Sequence, residues 1–232
     1  MSLILLCFMP AGNVVSYVLV SYGVDLYRVR RMVGGRAEQL LEDMCEDDAP
    51  WFKACDRRYE SILRELGASS SVDVMRGVLC NGELVESNAL YAELVGLLCE
   101  YVGQRLSSEP FEDGVPWDDG VEGALDDWFR AHDADADLLG DFDVSCLSFA
   151  EVELVRGFKH KGVGWLGVEQ CEALDDFFTS LRGDENDEDV EEFWDEELCE
   201  DDEFDVVVRC LESWVLMCRE RGWAMATFYR AR

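Results

Sequence analysis

The stretch VVSYVLVSY, which runs from Val14 to Tyr22, is rich in β-branched and aromatic residues and predicts a β-strand. Asp25 follows at the position of an N-cap, and a short helix from Leu26 to Val33 is predicted after it. At the other end of the chain, WAMATFY (Trp223 to Tyr229) has a similar aromatic character and predicts a closing strand. Both strands are short and too isolated to be stable alone, so we expect them to share one small sheet.

Helical spacing of apolar residues dominates the chain between these two strands. The predicted helices run approximately over Arg36–Cys45, Trp51–Leu66, Val72–Leu79, Asn88–Leu106, Gly120–Ala131, Val168–Leu181 and Phe204–Arg221. The apolar stripe of Asn88–Leu106 is broad enough for a central, buried helix. The glycine-rich stretch Gly157–Gly167 is predicted to be irregular. We therefore expect an α+β fold, predominantly helical, whose small sheet pairs an N-terminal with a C-terminal strand.

Composition indicates a packed protein with a strongly acidic surface. Of the 232 residues, 49% are hydrophobic and 31% are charged, which is typical of a chain that folds around a core. Asp and Glu number 51 against 20 Lys and Arg, so the formal net charge is -31. Because nucleic acids and anionic membrane surfaces repel such a chain, we expect neither as a partner.

The cysteines favour a reducing compartment. All ten are scattered, and no two of them show the C-x-x-C spacing of zinc or redox sites. Several have apolar neighbours, such as Cys99 after Leu98 and Cys210 before Leu211, where a thiol behaves as a small buried hydrophobe. We therefore expect a cytoplasmic protein with reduced thiols rather than a secreted disulfide scaffold.

The first residues of the chain are interpreted separately. The apolar run Leu3–Met9 lacks the basic residues that begin a signal peptide and is too short to span a membrane, so export is not expected. Because amphipathic structure begins near Val14, one hypothesis is that residues 1–13 are an upstream extension from a wrongly chosen start codon. An ordered lead-in to the first strand is the alternative.

We expect residues 14–232 to form a single acidic α+β domain with an acidic insert at 184–205. Two lobes with a boundary in the loop Ser107–Trp117 are the alternative, because residues 1–105 carry 15 acidic and 10 basic groups, whereas 106–232 carry 36 and 10.

Motifs of catalytic or metal sites are weak in this chain. Asp133, Asp135 and Asp137 imitate the start of a calcium loop, but Leu138 replaces its turn glycine and Val144 its bidentate Glu, so we predict no metal site. The spacing of Gly162, Gly164 and Gly167 matches a dinucleotide fingerprint, yet no βαβ unit surrounds it, and no cofactor is predicted.

The compact basic cluster Lys159, His160 and Lys161 precedes this glycine turn and is a candidate for binding an anion or a phosphate. A solvated loop, or an intramolecular partner of the acidic insert, is the more ordinary interpretation of the same residues.

The acidic insert is the most distinctive feature of the chain. Residues 184–205 hold 15 Asp or Glu and no Lys or Arg. Aromatic residues within such a run can anchor an interface with a basic protein, as in nuclease inhibitors that imitate the charge of nucleic acid. The partner-binding candidates are Phe193, Trp194, Glu196, Glu197, Asp201 and Asp202. The alternative is a solvated charge run that maintains solubility.

The resulting functional hypothesis is a cytoplasmic protein-binding or inhibitory, immunity-like acidic module that engages a basic protein, without a cofactor. The alternative is a hydrolase or transferase that uses the basic glycine loop 158–167. Nothing in the sequence points specifically to an enzyme.

Three stretches of the chain resemble a bacterial protein family known only as a domain of unknown function. They are YVLVSYGVDLYRVRRMVGGRAEQLLEDM (Tyr17–Met44), FKHKGVGWLGVEQCEAL (Phe158–Leu174) and the C-terminal WAMATFY. The likeness would cover nearly the whole chain from Val14. The shared motifs are mostly structural positions, so the resemblance implies no activity.

Overall fold

The structure of the protein is a computed structural model. It describes residues 17–83, 88–106, 115–117, 119–132, 142–143, 147–149, 162–182 and 203–231. The strands are β1 (Tyr17–Val24), β2 (Gln104–Leu106), β3 (Val115–Trp117), β4 (Phe142–Asp143), β5 (Ser148–Phe149), β6 (Val163–Leu166) and β7 (Ala224–Ala231). The helices are α1 (Leu26–Met32), α2 (Glu38–Asp47), α3 (Ala49–Arg58), α4 (Glu60–Leu66), α5 (Ser71–Arg76), α6 (Ala89–Val102), α7 (Asp119–Ala131), α8 (Val168–Arg182) and α9 (Glu203–Arg221).

The first and last described strands form the centre of an antiparallel sheet. β1 pairs with β7 along its full length, from Tyr17 opposite Ala231 to Val24 opposite Ala224. β6 extends the sheet on the far side of β7, while β3 and β2 pair with the first and second halves of β1. The predicted pairing of an N-terminal with a C-terminal strand is therefore confirmed, as is the predominantly helical α+β class.

β1 is buried on both faces, and this explains its nearly continuous apolar sequence. Every residue from Val18 to Val24 is buried. Side chains alternate along a strand, so Val18, Val20, Tyr22 and Val24 enter one hydrophobic cluster and Leu19 enters another. The two clusters therefore lie on opposite sides of the sheet.

Helices cover the sheet on both sides, which makes three layers. Apolar residues of α1 to α6 complete the first cluster, and those of α7, α8 and α9 complete the second. The prediction that the helix beginning near Asn88 is central and buried is confirmed, since Leu94 and Leu98 of α6 are fully buried. Asn88 caps this helix, because its side chain accepts a hydrogen bond from the backbone N–H of Leu90 at 2.9 Å.

The predicted C-terminal end of this helix is wrong. The helix stops at Val102, and Gln104–Leu106 form β2 instead of a last helical turn. Gly103 permits the change of direction, because a Cβ at this position would lie 2.6 Å from the backbone oxygen of Gly23 and 2.8 Å from that of Cys99. Pairing with β1 satisfies the backbone groups that a longer helix would have bonded internally.

The predicted helix Trp51–Leu66 is two helices, α3 and α4, separated at Tyr59. The Tyr59 hydroxyl donates a hydrogen bond to Glu93 of α6 at 3.2 Å, and the Arg58 guanidinium donates to the same carboxylate at 3.1 Å. The break therefore coincides with a contact to a distant helix, which local sequence does not reveal.

The predicted helix Val72–Leu79 is also interrupted. α5 ends at Arg76 and continues as a single π-helical turn, Gly77–Asn81, that closes at Gly82 with φ 71°. Backbone N–H groups of Gly34 and Arg36 donate to the carbonyls of Val78 and Leu79 in this turn. The π turn is thus joined to the loop that follows α1.

Two stretches predicted as loops contribute strands. Val163–Leu166, within the stretch Gly157–Gly167 predicted to be irregular, forms β6 and is buried at all four positions. Trp165 packs edge-on against Phe228 with ring centroids 5.6 Å apart. Val115–Trp117, within the loop Ser107–Trp117, forms β3. Both strands are short, and a neighbouring strand from elsewhere in the chain holds each of them.

Residues 1–13, interpreted as a start-site extension, lie outside the described residues. Every helix in the described ranges is either too short or too polar to cross a lipid bilayer.

Candidate functional site

The residues predicted to bind a partner or an anion lie outside the described part of the chain. Phe193, Trp194, Glu196, Glu197, Asp201 and Asp202 fall between α8 and α9, and Lys159, His160 and Lys161 precede β6. The structure therefore brings none of them into a described site, and their roles stay predictions.

The helices on either side of the acidic insert are held together by an ionic contact. Arg219 of α9 donates a hydrogen bond to Asp176 of α8 at 2.7 Å and a second to Asp175. Asp175 is buried, with 3% of its surface exposed. The acidic insert thus connects two helices that share an apolar core and are also linked by Arg219.

An acidic surface is present within the described fold. α2 carries exposed carboxylates at Glu38, Glu42, Asp43, Glu46 and Asp47, and it contains no Lys or Arg. Leu41 and Met44 on its other side are buried in the core, which orients the carboxylates outward. None of the five forms an ion pair with a described residue. We call these five residues the α2 acidic face.

A pocket of about 460 Å³ opens beside α5, which packs against α2. α4 ends at Gly67 in the left-handed conformation, with φ 66°, and Ser70 caps α5 by accepting a hydrogen bond from the backbone N–H of Asp73. The chain between these helices forms one wall. The residues that line the pocket are Leu66, Gly67, Ala68, Asp73, Val74, Glu83 and Tyr91. We call it the Tyr91 pocket.

Asp73 is an ionised, well-bonded member of this pocket. Its carboxylate accepts hydrogen bonds from the hydroxyls of Ser69 and Ser70, the latter at 3.1 Å, and from Arg76 at 2.9 Å. The hydrogen bond from Ser69, aided by those from Ser70 and Arg76, lowers the pKa of Asp73 below its ordinary value. Its charge is partly balanced by Arg76.

Glu83 supplies a second carboxylate, and it forms no ion pair with any described residue. Its Oε1 accepts a hydrogen bond from the Asn81 side chain at 3.1 Å, and its backbone N–H donates to the carbonyl of Gly77. A Cβ on Gly77 would lie 2.8 Å from Oε2 of Glu83, so glycine at this position lets the carboxylate approach the π turn.

Tyr91 contributes a buried side chain with an unused polar atom. Only 5% of the residue is exposed, and among the described residues no hydrogen-bond partner accompanies its hydroxyl. Burial, followed by the negative charge of Glu83, raises the pKa of Tyr91. The hydroxyl is therefore neutral at physiological pH and can donate or accept one further hydrogen bond.

A surface of opposite charge lies on α1 and the turn after it. Arg28, Arg30, Arg31 and Arg36 are exposed, and Tyr27 beside them has 70% of its surface exposed. The Arg31 guanidinium carbon lies 5.6 Å from the centre of the Tyr27 ring. The described surface is therefore not uniformly acidic.

Sequence reasoning missed both the α2 acidic face and the Tyr91 pocket. The acidic face had a signal, because EQLLEDMCEDD (Glu38–Asp48) combines carboxylates with a helical apolar spacing. The pocket had none, because its walls come from α4, α5, the π turn and α6, which only the tertiary fold brings together. In the described ranges, no group of three or more His, Cys, Asp or Glu is placed to hold a metal ion.

Comparison with known proteins gives a family match that assigns no activity. A family model described as Domain of unknown function (DUF7691) matches residues 15–230. Searches of curated proteins and of solved structures found no match.

Proposed function

The chain belongs to this family of unknown function, and we propose that it is a protein-binding, inhibitory module that engages a basic protein. The observation that carries the proposal is the α2 acidic face, where five exposed carboxylates lie on one helix without an ion pair to any described residue. A partner with a complementary basic surface would neutralise these charges.

The charge of the whole chain supports the same class of partner. A formal net charge of -31 attracts a basic protein over a distance and increases the rate of encounter. The acidic insert 184–205 adds 15 carboxylates, with Phe193 and Trp194 as aromatic anchors beside Glu196, Glu197, Asp201 and Asp202. An immunity-like inhibitor of a basic toxin or nuclease would use charge in this way.

A cytoplasmic location is part of the proposal. The cysteines among the described residues are free thiols, and Cys99, Cys171 and Cys218 are fully buried in the core. Burial raises the pKa of the Cys99 thiol far above its ordinary value, so this thiol stays neutral and unreactive. Such a core suits a reducing compartment.

The alternative, a hydrolase or transferase that uses residues 158–167, stays a prediction. The described part of that loop forms the buried strand β6, and Lys159, His160 and Lys161 lie outside the described residues.

The test begins with capture of partners from a lysate of the source organism and their identification by mass spectrometry. The captured protein is then purified, and its association rate with the full chain is measured in increasing NaCl. We expect a basic partner whose association slows as the Debye length shrinks from about 10 Å at 0.1 M to about 3 Å at 1 M salt.

Three variants locate the interaction. The first neutralises the α2 acidic face by Glu38→Gln, Glu42→Gln, Asp43→Asn, Glu46→Gln and Asp47→Asn, and the second replaces residues 184–205 by a glycine-serine linker. The matched control neutralises five exposed carboxylates at other places, Glu65→Gln, Asp127→Asn, Glu169→Gln, Glu172→Gln and Glu220→Gln. Slower association in the α2 variant or the linker variant than in the control supports the proposal. Equal rates in all three, or a rate that does not depend on salt, would overturn it.

A further inference from the structure

Building on the proposed function, we infer that the Tyr91 pocket receives an arginine side chain of the basic partner.

The walls of the Tyr91 pocket suit a long side chain with a polar end. Leu66, Ala68 and Val74 are apolar and can pack against a methylene stem, while Asp73 and Glu83 supply negative charge. A volume of about 460 Å³ falls within the range of ligand-binding pockets, about 300–1,000 Å³. The pocket therefore combines an apolar wall with acidic groups in a space sufficient for one side chain.

The charges within the pocket favour a cation. Asp73 is ionised and already accepts a hydrogen bond from Arg76 at 2.9 Å, so its charge is shared. Glu83 has no such ion pair among the described residues. One incoming positive charge would therefore pair with Glu83, with Asp73 as a second attraction nearby.

Tyr91 points to a ligand independently of the carboxylates. Its side chain is more than nine-tenths buried, it lines the pocket, and its hydroxyl has no hydrogen-bond partner among the described residues. The hydroxyl oxygen is not one of the enclosed side-chain atoms left without a partner, so it is accessible from the pocket, where a bound group can replace water. A ligand with a donor at the same depth would satisfy it.

Arginine meets these requirements better than lysine. A guanidinium has five N–H donors in a planar fork and can donate to the Glu83 carboxylate and to the Tyr91 hydroxyl oxygen at the same time. An ammonium is more strongly hydrated and offers a compact point charge, so we expect lysine to bind more weakly.

The test uses N-acetyl-arginine amide as the probe and the full chain as the receptor. Backbone amide NMR signals of Gly67, Ala68 and Val74 should shift with a saturable dependence on probe concentration. N-acetyl-citrulline amide has nearly the same shape without the charge, and it should leave these signals unchanged. N-acetyl-lysine amide should shift them with a higher dissociation constant.

Two substitutions within the pocket test the named groups. Glu83→Gln should raise the dissociation constant of the arginine probe by about tenfold, the loss typical of one charge-assisted hydrogen bond. Tyr91→Phe keeps the buried ring and removes only the hydroxyl, and it should also weaken binding. Glu65→Gln is the matched control, because Glu65 is an exposed carboxylate of α4 that does not line the pocket. Thermal melting of each variant verifies that it is folded.

The inference is overturned if the arginine and citrulline probes shift the same signals equally, or if Glu83→Gln binds the arginine probe as tightly as the unchanged chain. The purified basic partner distinguishes this failure from failure of the proposed function. A partner that binds the unchanged chain and both pocket variants equally retains the proposed function and excludes the Tyr91 pocket from it.

Discussion

Close contacts around the backbone of Gly103 determine where α6 ends. The helix leads directly into β2, and the backbone at Gly103 passes so close to β1 that a Cβ would lie 2.6 Å from the oxygen of Gly23 and 2.7 Å from Cγ1 of Val24. Such contacts cannot be relieved by rotating a flexible side chain, because two of the nearest atoms are backbone oxygens. The chain therefore needs a glycine at this position to pass from α6 into β2.

We predict that Gly103→Ala destabilises the fold by about 1–3 kcal/mol, the usual cost of overpacking a dense interior. Gly123→Ala is the control, because Gly123 lies in α7 and a Cβ there would meet nothing within 4 Å. That substitution should stabilise by up to about 1 kcal/mol through the higher helix propensity of alanine. Urea unfolding of both variants measures the difference, and equal stabilities would contradict the role given to Gly103.

Cys55 provides a second test at the scale of one residue. Its thiol is buried, and desolvation, with a further contribution from the charge of Glu93, raises the pKa from 9.0 to about 12. The folded protein therefore holds this proton more tightly than the unfolded chain does. The corresponding stability is fully present below about pH 9 and is lost as pH rises toward 12.

We therefore expect Cys55→Ser, which cannot ionise in this range, to show a shallower loss of stability between pH 9 and pH 12 than the unchanged chain. The cost of placing a hydroxyl in the core is the same at each pH and does not affect the slope. Urea unfolding at several pH values measures how the stability of each protein changes with pH. Parallel curves for the two proteins would show that ionisation of Cys55 does not contribute to the loss of stability.

At the scale of the elements, an arginine links α8 to α9 in addition to their apolar packing. Asp175 is 3% exposed, and its Oδ1 has no hydrogen-bond partner among the described residues, while Arg219 pairs with its other oxygen. Removing the arginine would leave a buried carboxylate without its counter-charge, which destabilises the folded state. The pair Arg64–Glu60 on α4 also joins an arginine to a carboxylate, but both side chains are 75% exposed.

We predict that Arg219→Met lowers the thermal midpoint clearly, whereas Arg64→Met barely changes it, because exposed ion pairs contribute little. Adding Asp175→Leu to Arg219→Met should recover part of the loss, since the unpaired carboxylate is then gone. Calorimetry of the three variants measures these midpoints. A loss in Arg64→Met as large as that in Arg219→Met would refute the distinction between the two pairs.

For the whole molecule, the central fact is that a three-layer fold carries a formal net charge of -31. Self-repulsion among like charges opposes the compact state. The buried layers on both sides of the sheet must outweigh it. The same charge that suits a basic partner therefore lowers the stability of the free protein.

Salt should consequently have opposite effects on stability and on partner binding. We predict that raising NaCl from about 0.1 M to about 1 M increases the thermal midpoint of the free chain, because the Debye length falls from about 10 Å to about 3 Å. The variant with a neutralised α2 acidic face should show a smaller increase. Scanning calorimetry at both NaCl concentrations measures the thermal midpoints. An unchanged midpoint would mean that self-repulsion does not limit stability.

Most of the secondary structure could be predicted from sequence because it follows from short-range pattern. The strand around Val18–Tyr22 is visible in its β-branched run, α1 in its Asp25 cap, and α9 in apolar spacing followed by Gly222. The pairing of β1 with β7 also followed, because two isolated strands at the ends of a helical chain need each other. The acidic insert was evident from composition alone.

Only the tertiary structure decided the rest. β6 and β3 are too short to be recognised without the neighbouring strands β7 and β1 that hold them, and the break at Tyr59 coincides with a contact to Glu93 on a distant helix. The Tyr91 pocket likewise depends on the π turn and on the approach of α4, α5 and α6. Local sequence determines which backbone conformations are favourable, whereas strand partners, helix breaks and pockets depend on contacts between residues far apart in the chain.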